Sequence, residues 1–344
     1  MSEPKRIFII GSFNDELPQS IRIERRHWIK GFVRLGHDVQ RFSYRNIMLQ
    51  SSPFKSKKFA QRFAKRHTDK ILVEQIKLYH PNIVLVISMK YLDENTIASM
   101  REVALKAVFV GRDVDPFPEE NLGRIAIAKK MDIVVASNAG RFLRTYKEAQ
   151  IPACAFIPNP CDPDIQHPYE VEEKWKSDII FTGKEEHAEL NRNTERYDLL
   201  LKLSQVSNAK LYGCFGNSKI DGIDCFYAIS GAKIALSINI VNDVSLYHSD
   251  RLINCLACGT FVLAKRVPDS DLLFEDGVHL KYFDTADEFF ELADWYLKHE
   301  KEREKIAKAG MERAHKEFNC VKMAQYILDL IEKGRCNARW AKVL

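Results

Sequence analysis

Short runs of Val, Ile and other apolar residues alternate with longer stretches of helical period along this chain, and the alternation starts twice. Candidate strands are Arg6–Ile10, Asp38–Phe42, Ile83–Ser88, Ala107–Val110, Ile133–Ala136 and Cys154–Ile157, with helix-like segments such as Ile21–Leu35 and Asn95–Leu105 between them. Parallel neighbours in a sheet need a crossover long enough to hold a helix, whereas antiparallel ones need only a tight turn. The rhythm therefore predicts a parallel sheet with helices on both faces. At Pro158–Pro168, PNPCDPDIQHP, prolines crowd together, and proline neither continues a helix nor donates to a ladder, so a linker with a hinge near residue 160 is expected. The rhythm then resumes at Asp178–Thr182, Lys210–Tyr212, Ile234–Ile238 and Phe261–Ala264, and from Asp287 the chain reads as helical (Glu288–Lys298, Glu302–Phe318, Val321–Lys333). The expectation is an α/β protein of two doubly wound domains, 1–160 and 161–325.

A chain of 344 residues, 46% hydrophobic and 29% charged, can bury two full cores. Its longest apolar runs are strand-sized, too short to span a bilayer, and the start MSEPKRIFII is too brief for a signal peptide, so a cytoplasmic location is expected. Eight scattered cysteines fit reduced, buried thiols. The net charge of +5 is unevenly spread: residues 1–165 hold 27 Lys/Arg against 18 Asp/Glu, the remainder 25 against 29. The N-terminal half is therefore expected to face an anionic partner.

In doubly wound domains, ligands bind beyond the carboxyl ends of the strands. Gly11, Ser12 and Asn14 follow the first strand but lack a full dinucleotide fingerprint. Thr182-Gly183-Lys184 offers a close backbone approach and a positive charge. In YHSDRLINCLACGTFVLAKR, Ser249 and Asp250 are good helix caps and Arg251 lies one turn in, an arrangement able to hold a phosphate. The eye-catching Cys255-Leu-Ala-Cys258 lacks a second ligand pair and sits deep in a helix, so it reads as packing rather than zinc or redox chemistry. Two Asp-x-Asp triplets, Asp113–Asp115 and Asp162–Asp164, could hold a divalent metal or form polar turns. Finally, FKSKKFAQRFAKRHTDK, with Lys55, Lys57, Lys58, Arg62, Lys65 and Arg66, places Phe54, Phe59 and Phe63 roughly on one stripe. That stripe either packs on the sheet or lies on an anionic membrane surface or phosphate backbone. Neither a Ser/His/Asp order nor an HExxH occurs.

The succession DIIFTGK, ERYDLLLKL, KLYGCFGN, YAISGAKIALSIN, SDRLINCLACGTFVLA, LFEDGVHLKYFDTADEFFELADWYL and EREKIAKAGMERAHKEF resembles the C-terminal half of GT-B glycosyltransferases. The likeness is greatest to the group related to the spore maturation protein CgeB, with features of glycosyltransferase families 1 and 4. It covers roughly residues 178–318, and LVEQIKLYHPNIVLVIS, MDIVVASN and IPNPCDPD are similar more loosely.

The resemblance implies a nucleotide-sugar-dependent transferase of two Rossmann-like domains facing across a cleft, with a C-terminal helix and tail (326–344) crossing back to the first. A UDP-sugar donor would sit on Gly183, Lys184, Arg196, Gly213, Ser249, Asp250, Arg251 and Asn254. The acceptor would meet Gly11, Ser12 and Asn14, with Asp113 or Asp115 as the base. Basic side chains and a helix start, rather than a metal or other cofactor, would neutralise the diphosphate, with retention of configuration. One departure stands out: Asn254 and Arg251–Gly259 match a block in which the family carries a glutamate at the position of Asn254. A non-catalytic GT-B scaffold and a metal-dependent Asp-x-Asp transferase remain the alternatives. The anionic acceptor would be modified DNA or a glycan, including a lipid-linked one at the membrane periphery.

Overall fold

The structure, a computed structural model, describes residues 3–13, 26–53, 57–87, 89, 92–114, 122–185 and 194–344. Asn14, Lys55 and Asp115 lie outside the described residues, as do Phe54 and the start of the expected helix 21–35. The chain divides into two compact units, Met1–Ile157 with Cys320–Leu344, and Pro158–Asn319.

The first unit begins β1 (Arg6–Gly11), α1 (His27–Arg34), β2 (Asp38–Ser43), α2 (Tyr44–Gln50), α3 (Lys57–Tyr79) and β3 (Ile83–Val86). It continues α4 (Glu94–Val103), β4 (Val108–Asp113), α5 (Leu122–Ala128), β5 (Ile133–Ala136), α6 (Arg141–Glu148) and β6 (Ala153–Phe156). All six strands are parallel, in the order β2-β1-β3-β4-β5-β6. The central strands are buried on both faces, which explains their unbroken apolar runs: Ile7–Ile10 and Val84–Val86 are at most 1% exposed.

The second unit holds β7 (Ser177–Thr182), α7 (Thr194–Leu203), β8 (Ala209–Tyr212), α8 (Ile223–Ser230), β9 (Ala232–Ser237), α9 (Asp250–Ala257) and β10 (Phe261–Lys265). It ends with β11 (Lys281–Phe283), α10 (Ala286–Lys298) and α11 (Glu300–Glu317). Its parallel sheet runs β11-β10-β9-β7-β8. The strand absent from the sequence reading is β11, a three-residue edge piece too short for a periodic signal.

Pro158–Pro168, the segment that reads as a linker, opens the second unit and is largely buried within it. Asn159, Cys161, Asp162 and Gln166 are at most 2% exposed. Cys161 N donates to Phe318 O at 2.9 Å, and Asp162 N to Gln166 Oε1 at 2.6 Å. Asp162 Oδ1 accepts from Asp164 N, so this Asp-x-Asp is a polar turn inside the second unit.

After residue 319 the chain returns to the first unit as α12 (Cys320–Lys333), which packs against α1 at Gly31. The last residues then pair antiparallel with the β6 edge: Leu344 N donates to Cys154 O at 2.8 Å and Phe156 N to Lys342 O at 2.9 Å. An otherwise bare sheet edge is thereby covered, and Trp340 seals it with its ring 5.7 Å from that of Phe156.

Candidate functional site

The strand order of the second unit reverses between β7 and β9, and doubly wound sheets open a crevice at such a point. Arg251, in the first turn of α9, bridges this opening. Its Nε donates to Thr182 O at 2.7 Å, at the end of β7, and its Nη1 to Ile238 O at 2.9 Å, just past the end of β9. Its Nη2 engages no acceptor, and no carboxylate lies within ion-pair distance of it, among the described residues. Arg196, in the first turn of α7 and 3% exposed, converges from the other side. It donates to Lys184 O through Nη2 and to Ile238 O at 3.4 Å through Nη1.

Both guanidiniums lie over the ring of Phe181, at 4.4 Å for Arg251 and 5.3 Å for Arg196, so the π-face offsets part of their desolvation. Gly183, at φ +148°, is what lets them approach. A Cβ there would lie 2.8 Å from Arg251 Nη2 and 3.3 Å from Arg196 Nη2.

Two buried cations in one pocket repel: burial, then the charge of Arg251, push the pKa of Arg196 below the usual arginine value. A guanidinium keeps its proton in proteins all the same, so the pair is a standing positive charge. Burial likewise pushes Cys255 up to about 12 and Cys258 well above its ordinary value, which leaves both as inert thiols.

The other expected donor residues gather unequally. Ser249 is the N-cap of α9 by backbone geometry, yet its side chain caps nothing. Its Oγ is buried with no partner among the described residues, while its N–H donates to Asn239 Oδ1 at 3.2 Å. Asp250 and Lys184 are exposed. Gly213 closes on Gly183, where a Cβ would stand 3.1 Å from the Gly183 carbonyl oxygen. Asn254 turns away: it is 6% exposed and its Oδ1 accepts from Gln166 Nε2 at 2.6 Å. Concavities of about 380 Å³, lined by Glu195, Asn242, Asp243 and Lys265 among others, and about 320 Å³, lined by Tyr212, Asn217 and Ser218 among others, open along this unit's strands. Phe181 and Gln166 were not singled out from the sequence. An aromatic residue just before Thr182-Gly183 was the one available signal for the first, and none existed for the second.

In the first unit, Asp113, one of the two expected bases, has its carboxylate engaged by neighbours. It is 5% exposed, accepts from Arg124 Nη1 at 2.9 and 3.1 Å and from Tyr146 OH at 2.6 Å, and so sits in a buried ion pair. Gly11 is closed over by Phe13, whose ring would lie 3.3 Å from a Cβ on the glycine, and Ser12 is 6% exposed. On α3, Lys57 and Lys58 occupy the first two positions, and Arg62 and Arg66 are exposed. Lys65 is committed to Asp69 and Asp93, each at 2.7 Å. Among the described residues there is no group of three or more His, Cys, Asp or Glu that could hold a metal ion, and no helix is long and apolar enough to cross a membrane.

Residues 187–329 match a family described as glycosyl transferase-like. Among solved structures, 96% of the chain aligns with all of Anabaena HepE, crystallised with UDP and glucose, at 13% identity and a TM-score of 0.61. Sucrose-phosphate synthase from Thermosynechococcus elongatus aligns over 96% of this chain and 98% of its own, at 13% identity and a TM-score of 0.61. A glycosyltransferase from Rickettsia africae aligns over 96% and 98%, at 14% identity and a TM-score of 0.59. Comparison with curated proteins finds no match to the sequence. The shared architecture is the two-sheet α/β fold, GT-B.

Proposed function

We propose that this chain, a GT-B glycosyltransferase whose residues 187–329 carry the glycosyl transferase-like domain, binds the diphosphate of a UDP-sugar at the β7/β9 opening and transfers the sugar without a metal. One observation carries this reading: Arg251 is clamped by the Thr182 and Ile238 carbonyls with its Nη2 left unengaged beside Arg196. A guanidinium edge that no acceptor among the described residues engages, at a helix start, is a site that a diphosphate would neutralise. UDP complexes of HepE support the choice of nucleotide. When the sugar–phosphate bond breaks, negative charge grows on the β-phosphate. Arg251, Arg196 and the exposed Lys184 would stabilise that charge electrostatically. The Ser249 hydroxyl would donate one further hydrogen bond.

Asp113 is assigned to holding Arg124 and Tyr146 in place. Acceptor activation is left to Asp115, with retention of configuration expected from the resemblance. The acceptor is taken to be anionic, reached by the basic first unit, and the setting cytoplasmic at the membrane periphery. A second reading, a GT-B scaffold that binds donor without turnover, is favoured by Asn254, whose oxygen is spent on Gln166.

A thermal-shift series with nucleotide sugars tests the first step. A ligand at 100 times its dissociation constant should stabilise by about 2.7 kcal/mol. Donor hydrolysis or transfer that persists in excess chelator supports the metal-free reaction. Tight UDP-sugar binding with no turnover across acceptors favours the scaffold. Arg196→Gln should raise the UDP dissociation constant; calorimetric titration checks this, and an unchanged constant would remove Arg196 from the site.

A further inference from the structure

Helix α3 has two faces of opposite character. At 100° per residue, Ala60, Ala64, Thr68, Leu72 and Ile76 centre on one side, and each is at most 1% exposed. Phe59, Arg62, Phe63, Arg66 and Lys70 centre on the opposite side, and all are exposed. The phenylalanines therefore do not pack on the sheet, the first of the two placements their spacing allows. Phe59 and Phe63 are 50% and 57% exposed, with rings stacked 6.4 Å apart at 12°. Arg62 lies 5.8 Å from the Phe63 ring centre.

The charge pattern is equally one-sided. Asp69, the one acidic residue between Lys57 and Lys70, is turned toward Lys65 and Tyr44. Among the described residues no carboxylate lies within ion-pair distance of Arg62, Arg66 or Lys70, although Lys65 on the same helix holds two. A solvated helix face has no use for two adjacent half-exposed aromatic rings, and a packed one has no use for three unpaired cations.

We infer that the outward face of α3 docks this protein on an anionic lipid bilayer, with Phe59 and Phe63 entering the headgroup–acyl boundary and Arg62, Arg66 and Lys70 meeting lipid phosphates. Apolar rings flanked by unpaired cations on one helical face match the chemistry of that boundary. A nucleic-acid strand fits less well, because the two rings are stacked on each other rather than set apart to accept a base. The inference stands apart from sugar transfer, since α3 belongs to the first unit and the donor arginines to the second.

Co-sedimentation of the full chain with vesicles tests it, comparing phosphatidylcholine alone with phosphatidylcholine mixed with phosphatidylglycerol. Retention on the mixed vesicles only is expected. The double change Phe59→Ser with Phe63→Ser should weaken that binding about tenfold or more. The triple change Arg62→Gln, Arg66→Gln, Lys70→Gln should remove the preference for anionic lipid. No retention on mixed vesicles, equal retention on both kinds, indifference to the phenylalanine changes, or tighter binding to duplex DNA would each overturn it. The UDP-induced thermal shift, expected unchanged in these surface variants, reports that they are folded. It also makes failure of the membrane inference distinguishable from failure of the donor site.

Discussion

On the proposed donor-site reading, replacing Arg251 with alanine lowers kcat by about 10²–10³-fold, the loss that follows removal of one fixed charge-stabilising donor from such a site. The expected change also weakens UDP binding, because Nη2 is the part of the side chain that no acceptor among the described residues engages. The carbonyls of Thr182 and Ile238 also lose their shared donor, and Ile238 is fully buried, so a loss of about 1–3 kcal/mol of stability accompanies the change. A fall in melting temperature is therefore expected beside the loss of turnover, and the UDP affinity of the folded variant separates the two.

Arg251→Lys should rescue little, since an ammonium cannot span two carbonyls and still present a free edge to phosphate. Steady-state kinetics and calorimetry on the three proteins check these outcomes. Unchanged turnover in Arg251→Ala would remove the diphosphate reading.

Gly31→Ala is expected to have the largest effect on stability. A Cβ at this position would stand 2.2 Å from the Cys320 carbonyl oxygen and 2.9 Å from Ala324 Cβ. The first of these is backbone, so no rotamer change relieves it, and α1 and α12 must separate. Overpacking of this kind costs about 1–3 kcal/mol. In a unit of this size that is a fall in melting temperature of very roughly 2–12 °C. Faster amide exchange should appear in α12 and along the β6 edge, and little in β7–β10. An unchanged exchange pattern would show that the helix pair adjusts without cost.

The two parallel sheets were legible because their central strands are buried on both faces, and such strands write continuous apolar runs into the sequence. Lys281–Phe283 escaped because an edge strand of three residues has no period to detect. Arg251 and Gly183 were named from helix-start chemistry and from the turn after β7, and the structure brings the two together. What could not be read were the long-range pairings. The contacts of Asp113 with Arg124 and Tyr146, 11 and 33 residues away, leave no local mark in the sequence. Nor does anything near Asn254 announce its hydrogen bond with Gln166, 88 residues earlier. The stripe on α3 showed its composition but not its direction. Which face of that helix meets the core is decided by Ala60, Ala64 and Thr68, residues too small or polar to stand out.

The return of the chain to its first unit has a bearing on how the protein is made. The second unit is one continuous stretch, Pro158–Asn319, and has every strand and helix it needs once that stretch has left the ribosome. The first unit is translated earlier but lacks its α1 partner and the cover of its β6 edge until Cys320–Leu344 emerges. During synthesis the order of completion is therefore reversed relative to the order of translation. For most of that interval the nascent N-terminal sheet waits with one edge open, the state in which a strand is most prone to pair with the wrong chain.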